Sequence, residues 1–157
     1  MKYLTALLLA ALATASAPVL ADTASPAVAA EIMNIVKAQW LAENARNVAE
    51  SQKNVAEEYT EFNPEAATRL EGRALAARLA EASNKDPATT LANEMLNPKV
   101  QVYGDVAILS YNFLGYAQDK DGKVKPNRAK STRVYARQGG KWMLVHANFG
   151  LDAMPRD

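Results

Sequence analysis

The sequence predicts an α+β domain in which N-terminal helices pack on one face of a curved, mainly antiparallel sheet. Apolar residues recur at helical spacing in the first half of the chain, and their period changes to two in the second half. The closing stretch, Ser131–Gly150, is typical of a β-hairpin because two strand-like runs flank Gln138-Gly139-Gly140-Lys141. A chain whose helices come first and whose antiparallel meander comes last has the element order of an α+β domain.

The N-terminus predicts a secretory signal peptide over residues 1–21. Lys2 supplies a positive charge, an apolar run of about 15 residues follows, and Val19–Ala21 resembles a cleavage site. The run is shorter than the ~20 residues that a membrane-spanning helix needs. We therefore expect cleavage after residue 21, a flexible leader over 22–27 and one domain over 28–157. The expected location is outside the cytoplasm, in a bacterial periplasm.

Composition disfavours several classes of function. Removing Lys2 from the 18 basic residues leaves 17, equal to the 17 acidic ones, so no global field favours nucleic acid or a membrane surface. The chain has no cysteine and one histidine, His146, so neither thiolate chemistry nor a histidine-rich metal site is expected. We predict no cofactor and no metal ion.

The first helix is predicted over Ala27–Glu43, with an apolar stripe formed by Ile32, Ile35, Val36 and Trp40. After an interruption at Asn44–Arg46, Asn47 fits an N-cap and Glu50 can complete a capping box. This pattern predicts a second helix that continues to about Glu57. A third helix is predicted over Arg73–Ala82, ended by Asn84–Pro87.

Two short strands are predicted between the second and third helices, at Tyr59–Phe62 and Thr68–Leu70. Four longer strands are predicted after the third helix: Leu91–Val102, Val106–Ala117, Arg128–Arg137 and Lys141–Asn148. Asn97-Pro98 interrupts the first of these, and because proline lacks a ladder donor we expect a bulge or bend there.

Alternation along the closing hairpin separates its side chains into two faces. Arg133 and Tyr135 share one face of the outgoing strand, and Phe149 opposes Trp142, Leu144 and His146 on the return strand. Both faces carry apolar bulk, so we expect helices to cover one and a partner subunit to cover the other.

Five segments resemble, in order and spacing, the association (hub) domain of calcium/calmodulin-dependent protein kinase II. They are Thr60–Ala66, Leu70–Gly72, Leu96–Val100, Thr132–Tyr135 and Gly140–His146. That family lies within the nuclear transport factor 2-like, or SnoaL-like, superfamily. The resemblance implies a cone-shaped, cystatin-like fold, a deep pocket between helices and sheet, and self-assembly through the sheet as a homodimer or a larger ring. The motifs of the kinase itself are missing, so neither kinase activity nor calmodulin binding is expected.

The resemblance also implies a ligand pocket. The family's pocket carries several arginines, of which Arg133 is kept, whereas Phe113 and Phe149 stand in for two others and Ala76-Ala77 for a His-Arg pair. A more aromatic pocket with one arginine predicts a small ligand that combines an apolar body with an anionic group such as a carboxylate. The predicted ligand-binding residues are Arg133, Tyr135, Phe113, Phe149, Trp40 and Tyr59, and Tyr111 could line the same cavity.

Two interpretations of Arg133 stay open. A buried guanidinium needs an acceptor, which is either a carboxylate ligand or an internal acid such as Glu58 or Glu94. The aromatic residues, likewise, either form a ligand cage or belong to the core.

The sequence names no catalytic residue. By alternation His146 faces away from Arg133, which favours an interface role over catalysis. The alternative function is an enzyme of the isomerase, cyclase or dehydratase type, with Glu58, Glu61, Glu94 or His146 as its base. A third alternative, an immunity or accessory protein that binds another polypeptide, has no positive support in the sequence.

Basic residues surround one predicted hairpin turn. Because no aromatic residues interleave with them, we expect them to protect a sheet edge against aggregation rather than to bind nucleic acid. They are Lys120, Lys123, Lys125, Arg128 and Lys130.

Overall fold

In a computed structural model, residues 22–152 form a seven-stranded sheet with helices on its inner face. The predicted signal peptide, 1–21, and the last five residues lie outside the described part of the chain. The helices are α1 (Pro26–Asn44), α2 (Val48–Ser51) and α3 (Arg73–Ser83). The strands are β1 (Asp22–Thr23), β2 (Val55–Phe62), β3 (Leu70–Glu71), β4 (Thr89–Tyr103), β5 (Val106–Gln118), β6 (Val124–Gln138) and β7 (Lys141–Leu151).

The strand order is β1-β4-β5-β6-β7-β2-β3, and every neighbouring pair is antiparallel except β2 and β7. The predicted α+β arrangement with a closing meander is confirmed. Gly139 and Gly140 adopt φ angles of 55° and 79° in the β6–β7 turn, which explains why two glycines follow one another there. The predicted bulge is also confirmed, because the β4–β5 register shifts between Leu96 and Lys99.

The predicted second helix is wrong beyond its first turn. The Asn47 side chain caps α2 as expected, accepting from the Glu50 amide at 3.1 Å, but the helix ends at Ser51. Residues 55–62 instead form β2, paired in parallel with β7. Pairing with β7 and burial of Val55, Ala56 and Tyr59 therefore override the local helix signal.

The N-terminal residues also differ from the prediction of a flexible leader over 22–27. Asp22 and Thr23 pair with Val102 and Gln101 at the edge of β4. Helix α1 then begins at Pro26, which suits a first helical position since its nitrogen has no hydrogen to leave unpaired.

The predicted faces of the last strand are wrong in its first half. The β6–β7 register shifts between Val134 and Tyr135, so that Tyr135 opposes Leu144 while Val134 opposes His146. Val145 is the extra residue of a β-bulge, which reverses the alternation along β7. Trp142 and Leu144 consequently point into the core, whereas His146 faces away from it as predicted.

The core lies between α1 and the inner face of the sheet. Ile32, Val36 and Trp40 of α1 are buried at the spacing that the sequence predicted. They pack with inner-face residues of β2, β5, β6 and β7 in one cluster: Val55, Tyr59, Ala107, Leu109, Tyr111, Tyr135, Trp142, Leu144 and Ala147. No helix within residues 22–152 is both long enough and apolar enough to cross a membrane.

The β7 bulge predicts unequal effects for neighbouring truncations. Leu144 is 2% exposed and Val145 is only partly buried. We expect Leu144→Ala to lower the free energy of unfolding by about 2–5 kcal/mol, as for other fully buried leucines, and Val145→Ala by clearly less. Urea unfolding of both variants measures this, and a larger loss for Val145→Ala would contradict the reversed alternation.

Candidate functional site

A cavity of about 940 Å³ opens between the helices and the inner face of the sheet. Of the six predicted ligand-binding residues, Trp40, Tyr59 and Phe113 line this cavity, while Arg133, Tyr135 and Phe149 do not. The charged residues on the wall are Glu43, Arg46, Glu61, Glu65 and Asp86.

The aromatic part of the wall is held by edge-to-face contacts. The Trp40 ring packs against Phe113 and Tyr111, with centroid distances of 5.4 Å and 5.9 Å. Gly115 lets the Phe113 ring lie along β5, because a β-carbon there would stand 2.7 Å from the ring. Tyr111 is buried behind this wall and belongs to the core.

Arg133 lies behind the cavity wall and is 4% exposed. Its Nε donates to the Tyr111 hydroxyl at 3.1 Å and its Nη1 donates to Gln39 Oε1 at 2.7 Å. The guanidinium carbon also lies 5.4 Å from the centroid of the Phe149 ring. Neutral side chains therefore accept two of its N–H groups inside the protein, and the carboxylate ligand of Arg133 stays a prediction.

The internal acids expected beside Arg133 lie elsewhere. Glu58 accepts from Gln138 at the surface, and Glu94 is exposed on β4. Within residues 22–152, no carboxylate comes within ion-pair distance of Arg133. Burial acts to lower the pKa of Arg133, but the combined effect of Tyr111, Tyr135 and Glu43 is larger and raises this pKa above its ordinary value. The guanidinium therefore stays charged.

Gln39 connects Arg133 to a carboxylate on the cavity wall. Because its amide oxygen accepts from Arg133, its Nε2 is free to donate, and it does so to Glu43 Oε1 at 2.9 Å. Glu43 is exposed to water in the cavity, yet the surrounding protein still partly desolvates its carboxyl group. That desolvation raises the pKa of Glu43; Arg133 and the Gln39 hydrogen bond lower it by less, and Glu61 adds to the rise.

Glu61 is the second carboxylate of interest on the wall. Its two oxygens accept from the Tyr59 hydroxyl and from the Asn63 amide, each at 2.6 Å. Burial, followed by the nearby Glu61 carboxylate, raises the pKa of Tyr59, so this phenol remains a neutral donor. Of the three glutamates that the sequence offered as bases, only Glu61 reaches the cavity.

Tyr135 lies deeper, beside Arg133 on β6. Burial raises its pKa to about 12, and the Arg133 guanidinium limits that rise. Its hydroxyl approaches Arg133 without meeting hydrogen-bond geometry, and no other partner lies within reach among the described residues. Tyr135 thus belongs to the support behind the wall.

His146 lies on the outer face of the sheet, away from the cavity. Its Nδ1 is 2.8 Å from the Thr60 hydroxyl, and its ring packs edge-to-face on Phe62 at 5.9 Å. This position agrees with the predicted interface role. The described part of the chain holds no group of three or more histidine, cysteine or acidic side chains suited to a metal ion.

Sequence reasoning missed Gln39 and Glu43. The signal was present, because Gln39 and Glu43 extend the Ile32–Val36 stripe of α1 at spacings of three and four residues. A polar end to an apolar helical stripe indicates that the helix leaves the core there and borders a cavity.

Comparison with known proteins identifies relatives of the whole domain. The family model described as calcium/calmodulin dependent protein kinase II association domain matches residues 28–149. The hub homology domain of the Chlamydomonas reinhardtii kinase is 26% identical, with a TM-score of 0.70 over 80% of this chain and 99% of that one.

Two bacterial structures share the fold. A Xanthomonas campestris protein described as an association domain of this kinase type is 19% identical, with a TM-score of 0.69 over 90% of this chain and all of that one. A nuclear transport factor 2-like protein from Salmonella enterica is 17% identical, with a TM-score of 0.68 over 85% and 96% of the two chains. The predicted fold class is confirmed.

The raised pKa of Glu43 predicts a pH-dependent gain in stability on Glu43→Gln. The native state holds the Glu43 proton more tightly than the unfolded chain, so stability falls as pH rises from about the ordinary value of 4.5 through the native pKa. The neutral glutamine avoids this loss. We expect Glu43→Gln to raise Tm at pH 7 and to raise it less at pH 4, measured by thermal unfolding.

Glu31→Gln is the matched control, since it removes the same charge from the exposed side of α1. It should change Tm little at both pH values. A Glu43→Gln variant that is less stable than wild type at pH 7 would contradict the assigned environment of Glu43.

Proposed function

Because this chain belongs to the calcium/calmodulin dependent protein kinase II association domain family, we propose that it is a self-associating, non-kinase hub domain that binds a small ligand in its cavity. Its partner in assembly is a second copy of itself, and its cavity ligand is a small molecule. We also propose that it works outside the cytoplasm after loss of residues 1–21.

The outer face of the sheet is the observation that carries the assembly proposal. We call its apolar centre the outer patch, formed by Val106, Ile108, Val134, Ala136, Met143 and His146. The helices of the described chain pack on the opposite face. An apolar, centrally placed sheet surface without a covering layer favours burial against another sheet.

The outer patch is also suited to a two-fold contact. His146 provides one polar group among aliphatic side chains, and its Nδ1 is already engaged by Thr60. Phe62 is 47% exposed beside it and would extend the buried area. A patch of this composition can pair with its own copy without burying an unpaired charge.

A second candidate function is proton transfer on a cavity-bound substrate, as in an isomerase, cyclase or dehydratase. Glu43 favours it, since a carboxylate with a raised pKa on a cavity wall can act as a general base. Tyr59, held by Glu61, could donate to the reacting group. Recovery of bound ligand unchanged after long incubation in deuterated water, without isotope incorporation, would exclude this candidate for that ligand.

A charge placed in the outer patch should break the assembly. Val134 is partly buried at its centre, and burying a lysine there without a partner is costly. We expect wild type to run as a dimer or larger ring in light scattering at micromolar concentration, and Val134→Lys to run as a monomer.

Val124→Lys is the matched control for this test. It makes the same substitution in the same strand, about 33 Å away at ~3.3 Å per residue, where Val124 is exposed at the hairpin end. It should keep the wild-type mass. A wild-type monomer, or equal masses for the two variants, would contradict assembly through the outer patch.

Export predicts a shortened chain. Expression of the full sequence in a bacterium should yield a periplasmic protein whose N-terminal residue is Asp22, as intact-mass spectrometry would measure. Replacing Leu7, Leu8 and Leu9 with aspartate should block processing, because an export signal needs an apolar core. Full-length wild-type protein in the cytoplasm would contradict the proposal.

A further inference from the structure

The cavity wall is acidic where the sequence predicted a cationic site. Four carboxylates line it (Glu43, Glu61, Glu65 and Asp86), against one guanidinium, that of Arg46. The Arg46 guanidinium already donates to the backbone oxygens of Asn84 and Asp86, at 2.9 Å and 3.0 Å. An anionic ligand would therefore meet several negative charges and one cation that already donates two hydrogen bonds to the backbone.

Arg133 does not reverse this balance. It lies behind Gln39, which lines the cavity and accepts from it. A carboxylate ligand would have to displace Gln39, leave the amide of that residue without its acceptor role, and approach Glu43 at the same time. Each of these steps costs free energy that the ligand must recover.

One carboxylate on the wall offers a ligand an acceptor that the protein leaves unused. Gln39 engages only Oε1 of Glu43, and within residues 22–152 the other oxygen has no partner. A ligand that carries an N–H donor would satisfy this oxygen.

The aromatic wall suits a cation with an apolar body. Trp40 and Phe113 stand side by side in the cavity, fixed by their 5.4 Å edge-to-face contact. Aromatic faces attract organic cations electrostatically and bury apolar groups at the same time. Carboxylates and aromatic rings on one wall thus point to the same class of ligand by two independent interactions.

We propose that the cavity binds a small organic ammonium compound, with its charged nitrogen at Glu43 and its apolar body against Trp40 and Phe113. The proposal rests on the proposed ligand-binding function of the cavity and names the class of its ligand. It replaces the anionic group predicted from Arg133 with a cationic one.

Three probes that share one apolar body and differ in charge test this proposal. Benzylamine, benzyl alcohol and benzoate are titrated into the purified protein at pH 7 in isothermal calorimetry. We expect benzylamine to bind about tenfold or more tightly than either of the other two, as a charge-assisted contact in a partly desolvated site would produce.

Variants then locate the site of binding. Glu43→Gln keeps the size of the side chain and removes its charge, and should weaken benzylamine binding by about tenfold. Phe113→Leu keeps apolar volume, removes a ring and should weaken it by several-fold. Glu31→Gln, on the exposed side of the same helix, should bind as wild type does, and circular dichroism checks that each variant is folded.

The outcomes separate this proposal from the function on which it rests. Benzoate binding as tightly as benzylamine, or equal affinities for Glu43→Gln and wild type, would overturn the ammonium proposal while leaving a ligand-binding cavity. If none of the three probes binds, the ammonium proposal also fails, and the light-scattering test of Val134→Lys still judges the assembly function separately.

Discussion

A buried guanidinium organises the interior of this domain. Arg133 reaches from β6 toward α1. Its hydrogen bonds to Gln39 of α1 and Tyr111 of β5 fix the position of the helix relative to the sheet. Those bonds also set the amide of Gln39, so that its N–H group is directed to Glu43. Arg133 is 4% exposed and does not line the cavity. Its charge nevertheless acts on Glu43, which does line the cavity.

The general fold follows from local patterns, and its exceptions have tertiary causes. The α1 stripe, the paired glycines of the closing turn and the Asn97-Pro98 bulge could all be inferred from residues near one another in the chain. Two features could not. Residues 55–57 carry a helix-compatible sequence but belong to β2, which pairs with the sequence-distant β7. The bulge at Val145 has no proline or glycine to mark it.

The candidate site was predictable on its apolar side and misjudged on its polar side. Trp40, Tyr59 and Phe113 line the cavity. The cavity borders the core, so the apolar spacing that predicts core residues also predicts the aromatic part of its wall. Arg133 was expected to pair with a carboxylate of a ligand or of the chain itself, since its actual neutral partners come from other elements and have no charge that would reveal them. Glu43 was missed because a glutamate near a helix end usually faces solvent, and the residues that alter its surroundings, Arg133 and Glu61, lie far from it in the sequence.

The parallel pairing of β2 with β7 links distant parts of the chain: the Asn54 side chain donates to the backbone oxygen of Trp142, 88 residues further on. Helix α1, by contrast, can form as soon as its own residues are available. The inner face of β2 can be buried only when the final strand has arrived, so closure of the sheet depends on its most sequence-distant contact. A sheet that closes through contacts so distant in the sequence is expected to fold more slowly than one built from local contacts.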